Sequence, residues 1–178
     1  MITASNMRKT LLISALLLFL AGCAAPTPYK AYFGAPRGDM QLSTVQGGSF
    51  LRTELLNRYI DTIRFIEVDD IPVTNSDQYR AIQITPGFHD IRVYFHWDMG
   101  SVRGLAPAMV DYSRTRENIS RVLRFNARSG ETYTVMAKPY FNSTRHDITT
   151  LTHVDFWLLD EDGNEIVSKE EGRYIPEQ

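Results

Sequence analysis

The chain carries a single cysteine, Cys23, so it can form neither an internal disulfide framework nor a cysteine-rich zinc site. It has no block of lysine and arginine, and its formal net charge is -2, which argues against nucleic acid as a partner. Its most apolar stretch, Leu11–Leu20, is 10 residues long. As a helix that covers about 15 Å, half a bilayer core, which is too short for a transmembrane span. There is no His-Glu-x-x-His, no Gly-x-Ser-x-Gly elbow, no Ser-x-x-Lys and no glycine-rich phosphate loop. What remains has 43% hydrophobic and 22% charged residues over 178 positions, enough to expect one folded domain with accessory sequence rather than a disordered chain.

The accessory sequence lies at the N-terminus. Arg8 and Lys9 precede the apolar run, and Leu20-Ala21-Gly22-Cys23 closes it. A short positive segment, an apolar core and small residues before a cleavage point are the parts of a secretory signal peptide. Ending on this tetrad, the segment resembles the lipobox of bacterial lipoprotein precursors. The resemblance implies that the Cys23 thiol receives a diacylglyceryl group through a thioether. It further implies that residues 1–22 are removed and that the freed amine of Cys23 takes an N-linked acyl chain of the palmitate kind. Two or more chains give stable anchoring. Met7, which opens Met-Arg-Lys-Thr, is the natural start of such a peptide. Ala24 follows the lipidated position, where an aspartate would favour the inner membrane. The implied location is therefore the periplasmic face of the outer membrane. No cofactor other than the covalent lipid is expected.

Residues 23–48 hold Pro26, Pro28, Gly34, Pro36, Gly38, Gly47 and Gly48, a density that reads as a flexible tether. The domain is expected over 49–170, with a charged, frayed tail at 171–178. Phe50, Leu51, Leu55 and Tyr59 have near-helical spacing, which predicts one short helix over 49–59. Beyond residue 60 the period becomes two. Strands are predicted at Ile63–Val68, Tyr79–Thr85, Phe88–Trp97, Ile119–Ala127, Thr132–Tyr140, Val154–Leu159 and Glu165–Ser168. Turn signals separate them at Asp69-Asp70, Pro86-Gly87, Ser129-Gly130 and Asp160–Asn164. About seven strands joined mostly by turns predict an all-β fold, an antiparallel β-sandwich. Residues 98–117 make a long connection, of the kind that is often functional.

Three phrases recur in a family. They are Ile66-Glu67-Val68-Asp69-Asp70, Pro86-Gly87-Phe88-His89-Asp90-Ile91-Arg92-Val93, and Ser129-Gly130-Glu131-Thr132-Tyr133. In this order they resemble PEGA-type and related small sandwich domains of bacterial envelope lipoproteins, over about residues 62–137. That resemblance implies a sandwich and brings no catalytic residues with it. Asp70 stands where the family's turn has glycine.

Few residues carry chemistry. His89 and His96 are seven apart, which puts them on opposite faces of a regular strand and prevents joint metal ligation without a bulge. A histidine metal site would need Asp147 or Asp155 from another segment. The acidic clusters Asp69/Asp70 and Asp160–Asp162 read as solvated turns. Three features suit binding instead. Arg92, Tyr94 and His96 are expected on the outward face of the Phe88–Trp97 strand. Trp157 lies between Phe156 and Leu158, so one face of that strand is either exposed to a partner or buried under the loops. Arg103, Arg114 and Arg116 make the 98–117 connection basic.

The expected function is that of a non-enzymatic, membrane-anchored envelope lipoprotein acting as an accessory or protein-interaction module. The alternative is a glycan- or peptidoglycan-binding lipoprotein using Tyr94, Trp97 or Trp157, and a hydrolase built from loop Asp and His residues ranks below both. The anchor is directly testable. Cys23→Ala should move the protein from the membrane fraction to the soluble periplasm, and a variant that still pellets with membrane would remove the anchor.

Overall fold

Strands with apolar residues at alternate positions can bury that face only against a second layer. The computed structural model describes residues 27–54, 57–98, 119–143 and 150–176, and these build two such layers. The strands are β1 (Tyr29–Lys30), β2 (Ser43–Gly47), β3 (Ser49–Glu54), β4 (Asn57–Val68), β5 (Ile71–Pro72), β6 (Ala81–Ile84), β7 (Gly87–His96), β8 (Ser120–Ala127), β9 (Thr132–Phe141), β10 (Leu151–Leu159) and β11 (Glu165–Tyr174). Six of them form one sheet in the order β1-β6-β2-β9-β10-β11. The other sheet has the order β3-β4-β7-β8, with β5 paired to β4. The protein is a β-sandwich, and each of the seven strands predicted from periodicity is present.

The core follows from the alternation. Val45, Ile82, Ile84, Val135, Phe156 and Leu158 point inward from the six-stranded sheet. They meet Ile63, Phe65, Ile91, Val93, Leu123 and Phe125 of the other sheet, and all are buried. Each such side chain contributes about 1.5–3 kcal/mol of transfer free energy. The intervening positions of β7 and β8, such as Arg92, Val122 and Arg124, face outward, which is why these strands read clearly as half-buried.

Several elements depart from the sequence reading. The described residues of 49–59 form no helix. They form the hairpin of β3 and β4, in which Leu51 pairs with Ile60 and Phe50 with Asp61. The helical spacing was a coincidence of a period-two pattern, and a partner strand immediately downstream decides for β. The lead-in is also not all tether. Tyr29 and Lys30 pair in parallel with Ile82 and Gln83, and β2 lies between β6 and β9 within the sheet. The β1–β6 and β2–β9 pairs are parallel, against the expected antiparallel arrangement throughout. At the other end the tail is not frayed from residue 171, because β11 runs on to Tyr174. There Gly172 pairs with Phe156, and a Cβ at this position would run into the Phe156 carbonyl.

The Asp69-Asp70 turn keeps a two-residue loop without glycine. Val68 pairs with Ile71 across it. Asp69 and Asp70 have φ of 50° and 64°, the positive values that a type I′ turn needs at both central positions. The two aspartates differ in what else they do. Asp69 accepts from the Asp90 amide at 2.9 Å and from His89 Nδ1 at 2.6 Å. Asp70 is exposed. Asp70→Gly should therefore raise stability by about 1 kcal/mol by relieving left-handed strain. Asp69→Gly, with the same backbone relief, should lower it, because His89 and the Asp90 amide lose their acceptor. Urea midpoints of the two variants check this, and shifts of the same sign would refute it.

Candidate functional site

Arg92, Tyr94 and His96 do share the outer face of β7, but Tyr94 is covered there. Tyr94 is 1% exposed, and its hydroxyl donates to Asp77 Oδ1 at 3.0 Å. Asp77 belongs to a 3-10 turn, Ser76–Gln78, in the connection between β5 and β6. The same connection receives a hydrogen bond from Arg64 Nη1 to the Tyr79 carbonyl at 3.3 Å. A segment of loop thus replaces the solvent that alternation alone predicts over Tyr94. Arg92 is paired with Glu67 on β4, and the Tyr94 and His96 rings meet edge to face. Arg103, Arg114 and Arg116, and with them Leu20, Ala21, Gly22 and Cys23, lie outside the described residues.

Trp157 lies on the outer face of the six-stranded sheet, half-buried. The strand pairing there collects a row of aromatic and cationic side chains. His153 pairs with Tyr140, Asp155 with Lys138, and Trp157 with Met136 across β10 and β9. On the other side of β10, Asp155 pairs with Arg173 of β11. His153 stacks on Tyr140, with ring centroids 4.3 Å apart and planes at 11°. Lys138 Nζ stands 4.9 Å from the Tyr140 ring, and Lys169 Nζ stands 4.7 Å from the Trp157 ring. Each such cation–π contact is worth about 0.5–1 kcal/mol at a solvent-facing site.

Asp155 organises this row. It is 2% exposed, and Arg173 grips it through Nε at 2.6 Å and Nη2 at 3.1 Å. His153 Nε2 lies 3.9 Å from the same carboxylate. Hydrogen bonding from Arg173 holds the Asp155 carboxyl below its ordinary value, against the opposing effect of burial, and Asp155 in turn raises Arg173. The two parallel bonds fix the guanidinium against the Asp155 carboxylate.

Two other clusters carry titratable groups. Where the β4–β5 turn meets β7, His89 contacts Asp69 through Nδ1, with Thr85 Oγ1 3.4 Å from Nε2. An acid, an imidazole and a hydroxyl are thus in sequence, but Nε2 lies closer to the Thr85 carbonyl oxygen, at 2.7 Å. To bond a carbonyl that nitrogen must carry its proton, which leaves no lone pair there to activate the hydroxyl. At the opposite end, Arg52 bonds Asp61 through Nε at 3.1 Å and the Asp98 carbonyl through Nη2 at 2.7 Å. Asp61 also accepts from the Asp98 amide at 2.8 Å. The Arg52 guanidinium lies 4.6 Å from the Tyr59 ring and 5.5 Å from the Trp97 ring. This network ties the β3–β4 hairpin to the end of β7. The Asp160–Asn164 run is a closed turn in which Asp160 accepts from the Asn164 amide at 2.8 Å and its side-chain nitrogen at 2.9 Å. Among the described residues, no three metal-binding side chains converge.

Comparison of the chain with models of known families, with curated proteins and with solved structures finds no match. The aromatic–cationic row is therefore judged on its geometry.

Because the folded value of Asp155 is lowered, its ion pair stabilises the fold at neutral pH. That contribution is lost as pH falls through the ordinary carboxylate value of 3.8 and below. Asp155→Asn should lower stability at pH 7 by about 2 kcal/mol, since it leaves a guanidinium without its charged partner. The loss should shrink at pH 3. Urea unfolding at the two pH values reads it, and equal losses would mean that Asp155 is not ionised and paired in the fold.

Proposed function

We propose that the chain is a lipid-anchored, non-enzymatic module of a bacterial envelope, and that it holds a partner protein on the outer face of its six-stranded sheet. The anchor follows from the lipobox reading of Leu20, Ala21, Gly22 and Cys23. The observation that carries the rest is the row of Met136, Tyr140, Trp157 and Arg173, held in one plane by strand register. Tyr, Trp and Arg dominate the binding energy of protein interfaces, and Met is enriched there. Flat β-sheet surface suits a protein partner better than a small ligand, which needs a concave site.

A glycan partner is the weaker reading on the same surface. Sugar rings stack on open aromatic faces, whereas Trp157 already carries Lys169, and Tyr140 carries His153 and Lys138. Catalysis is weaker still, because His89, Asp61 and Asp155 are each engaged in hydrogen bonds that hold strands together.

Photo-crosslinking in the native cell tests the proposal. A benzophenone side chain at Lys138 should give a discrete protein adduct. The same probe at Arg124, exposed on the outer face of the other sheet, should give none. Equal adducts from both positions, or adducts to peptidoglycan from position 138, would overturn it.

A further inference from the structure

The distance between the lipid-bearing residue and the folded domain is set by the structure. Residues 23–48, if all were tether, would reach about 85 Å when extended. Pairing of Tyr29 with Ile82 leaves six steps from Cys23 to the sheet, a reach of at most about 20 Å. One edge of the sandwich, β1, is thereby held beside whatever surface the lipid occupies.

That edge has the chemistry of a membrane contact. Residues 29–33 together with Val68, Ile71 and Pro72 line one cavity of about 80 Å³, so the side chains of β1 and of the β4–β5 hairpin are neighbours. At its rim Phe33 is 77% exposed and Ile71 44%. The loop that presents Phe33 is a built one. Lys30 Nζ donates to the Gly34 carbonyl at 2.8 Å, and the Arg37 amide donates to the Tyr32 hydroxyl at 3.3 Å. Lys30 Nζ and the Arg37 guanidinium stand 4.7 Å and 5.9 Å from the Tyr32 ring. A tyrosine flanked by two cations, beside an exposed phenylalanine and isoleucine, is the side-chain set that partitions at a headgroup boundary. Asp70, next to Ile71, offsets part of the positive charge, so the apolar contact is the larger share.

We infer that this edge is a membrane-contact surface: Tyr32, Phe33, Ile71 and Pro72 rest in the headgroup layer, with Lys30 and Arg37 toward lipid phosphates. The inference rests on lipidation of Cys23. It fixes an orientation, with the β1 edge down and β11, the opposite edge of the same sheet, away from the lipid. The outer face with Tyr140 and Trp157 then stands upright on the membrane rather than against it.

The test uses full-length lipidated protein in vesicles of phosphatidylethanolamine and phosphatidylglycerol containing nitroxide-labelled lipid. An environment-sensitive fluorophore is attached at Ala35→Cys or at Ile166→Cys, on β11. Quenching should be several-fold stronger at position 35. Adding Phe33→Ser and Ile71→Ser, both exposed sites, should bring it down to the level of position 166 while the protein still floats with the vesicles. Equal quenching at the two positions in floating protein would overturn the contact surface and leave the anchor standing. Protein that does not float at all would overturn the anchor, and this inference with it.

Discussion

The passage of the chain between the two sheets at Gly47 and Gly48 constrains the whole sandwich. β2 ends in the six-stranded sheet and β3 begins in the other, with one residue between them. The Gly48 amide still bonds the Val135 carbonyl of the first sheet at 2.8 Å. Its own carbonyl already accepts from the Ile63 amide of the second at 3.0 Å. Both glycines lie where a side chain has no room, against the Ile63 and Val135 carbonyls. Only a backbone without Cβ can bring the two ladders this close. The crossing brings Val45 and Ile63 into one core and so sets how the two apolar faces meet. The positions of β9 and β10, which carry the aromatic row, follow from the side of β2 left open for pairing.

Charge in this protein is used mainly to fasten strands. Asp69 with His89 closes the β4–β7 end, Arg52 with Asp61 and Asp98 closes the other, and Asp155 with Arg173 binds the last strand to its neighbour. Asp61 and Asp155 are buried and need partners to offset their desolvation, and both have them. The clusters that look like chemistry in a residue inventory are thereby accounted for by the fold. The surfaces left for function are those where cations lie over rings that are only half-buried.

Two such surfaces stand at different parts of one sheet. The Tyr32 loop lies at its β1 edge, and the Tyr140–Trp157 row lies on its outer face toward β11. With Cys23 lipidated as proposed, its short lead would make the first a membrane neighbour, and the sheet's width would carry the second away from the lipid. The proposed division of labour, anchoring at one edge and partner contact at the other, needs no moving part. It depends on the rigidity of six hydrogen-bonded strands.

Local pattern was enough for much of this. Period-two alternation marks β4 and β6 to β11 and their inward residues, because one buried face leaves its trace in every second side chain. Turn chemistry marks Asp69-Asp70 and Asp160–Asn164, and alternation puts Trp157 on the other face from its neighbours Phe156 and Leu158. Lys138 and Tyr140 were within reach by the same rule, since Val135 and Ala137 point inward. Their meeting with His153, Asp155 and Arg173 was not, because it depends on register between strands far apart in sequence. The same limit explains the other departures. Tyr94 is outward by alternation and buried by a loop from residues 73–80, β1 and β2 are strands only because β6 and β9 accept them, and residues 49–59 are a hairpin because residues 57–62 lie alongside. Sequence by itself determined which residues seek the core. Tertiary structure decided what covers the remainder, since hydrogen-bond partners and covering loops are supplied by distant parts of the chain.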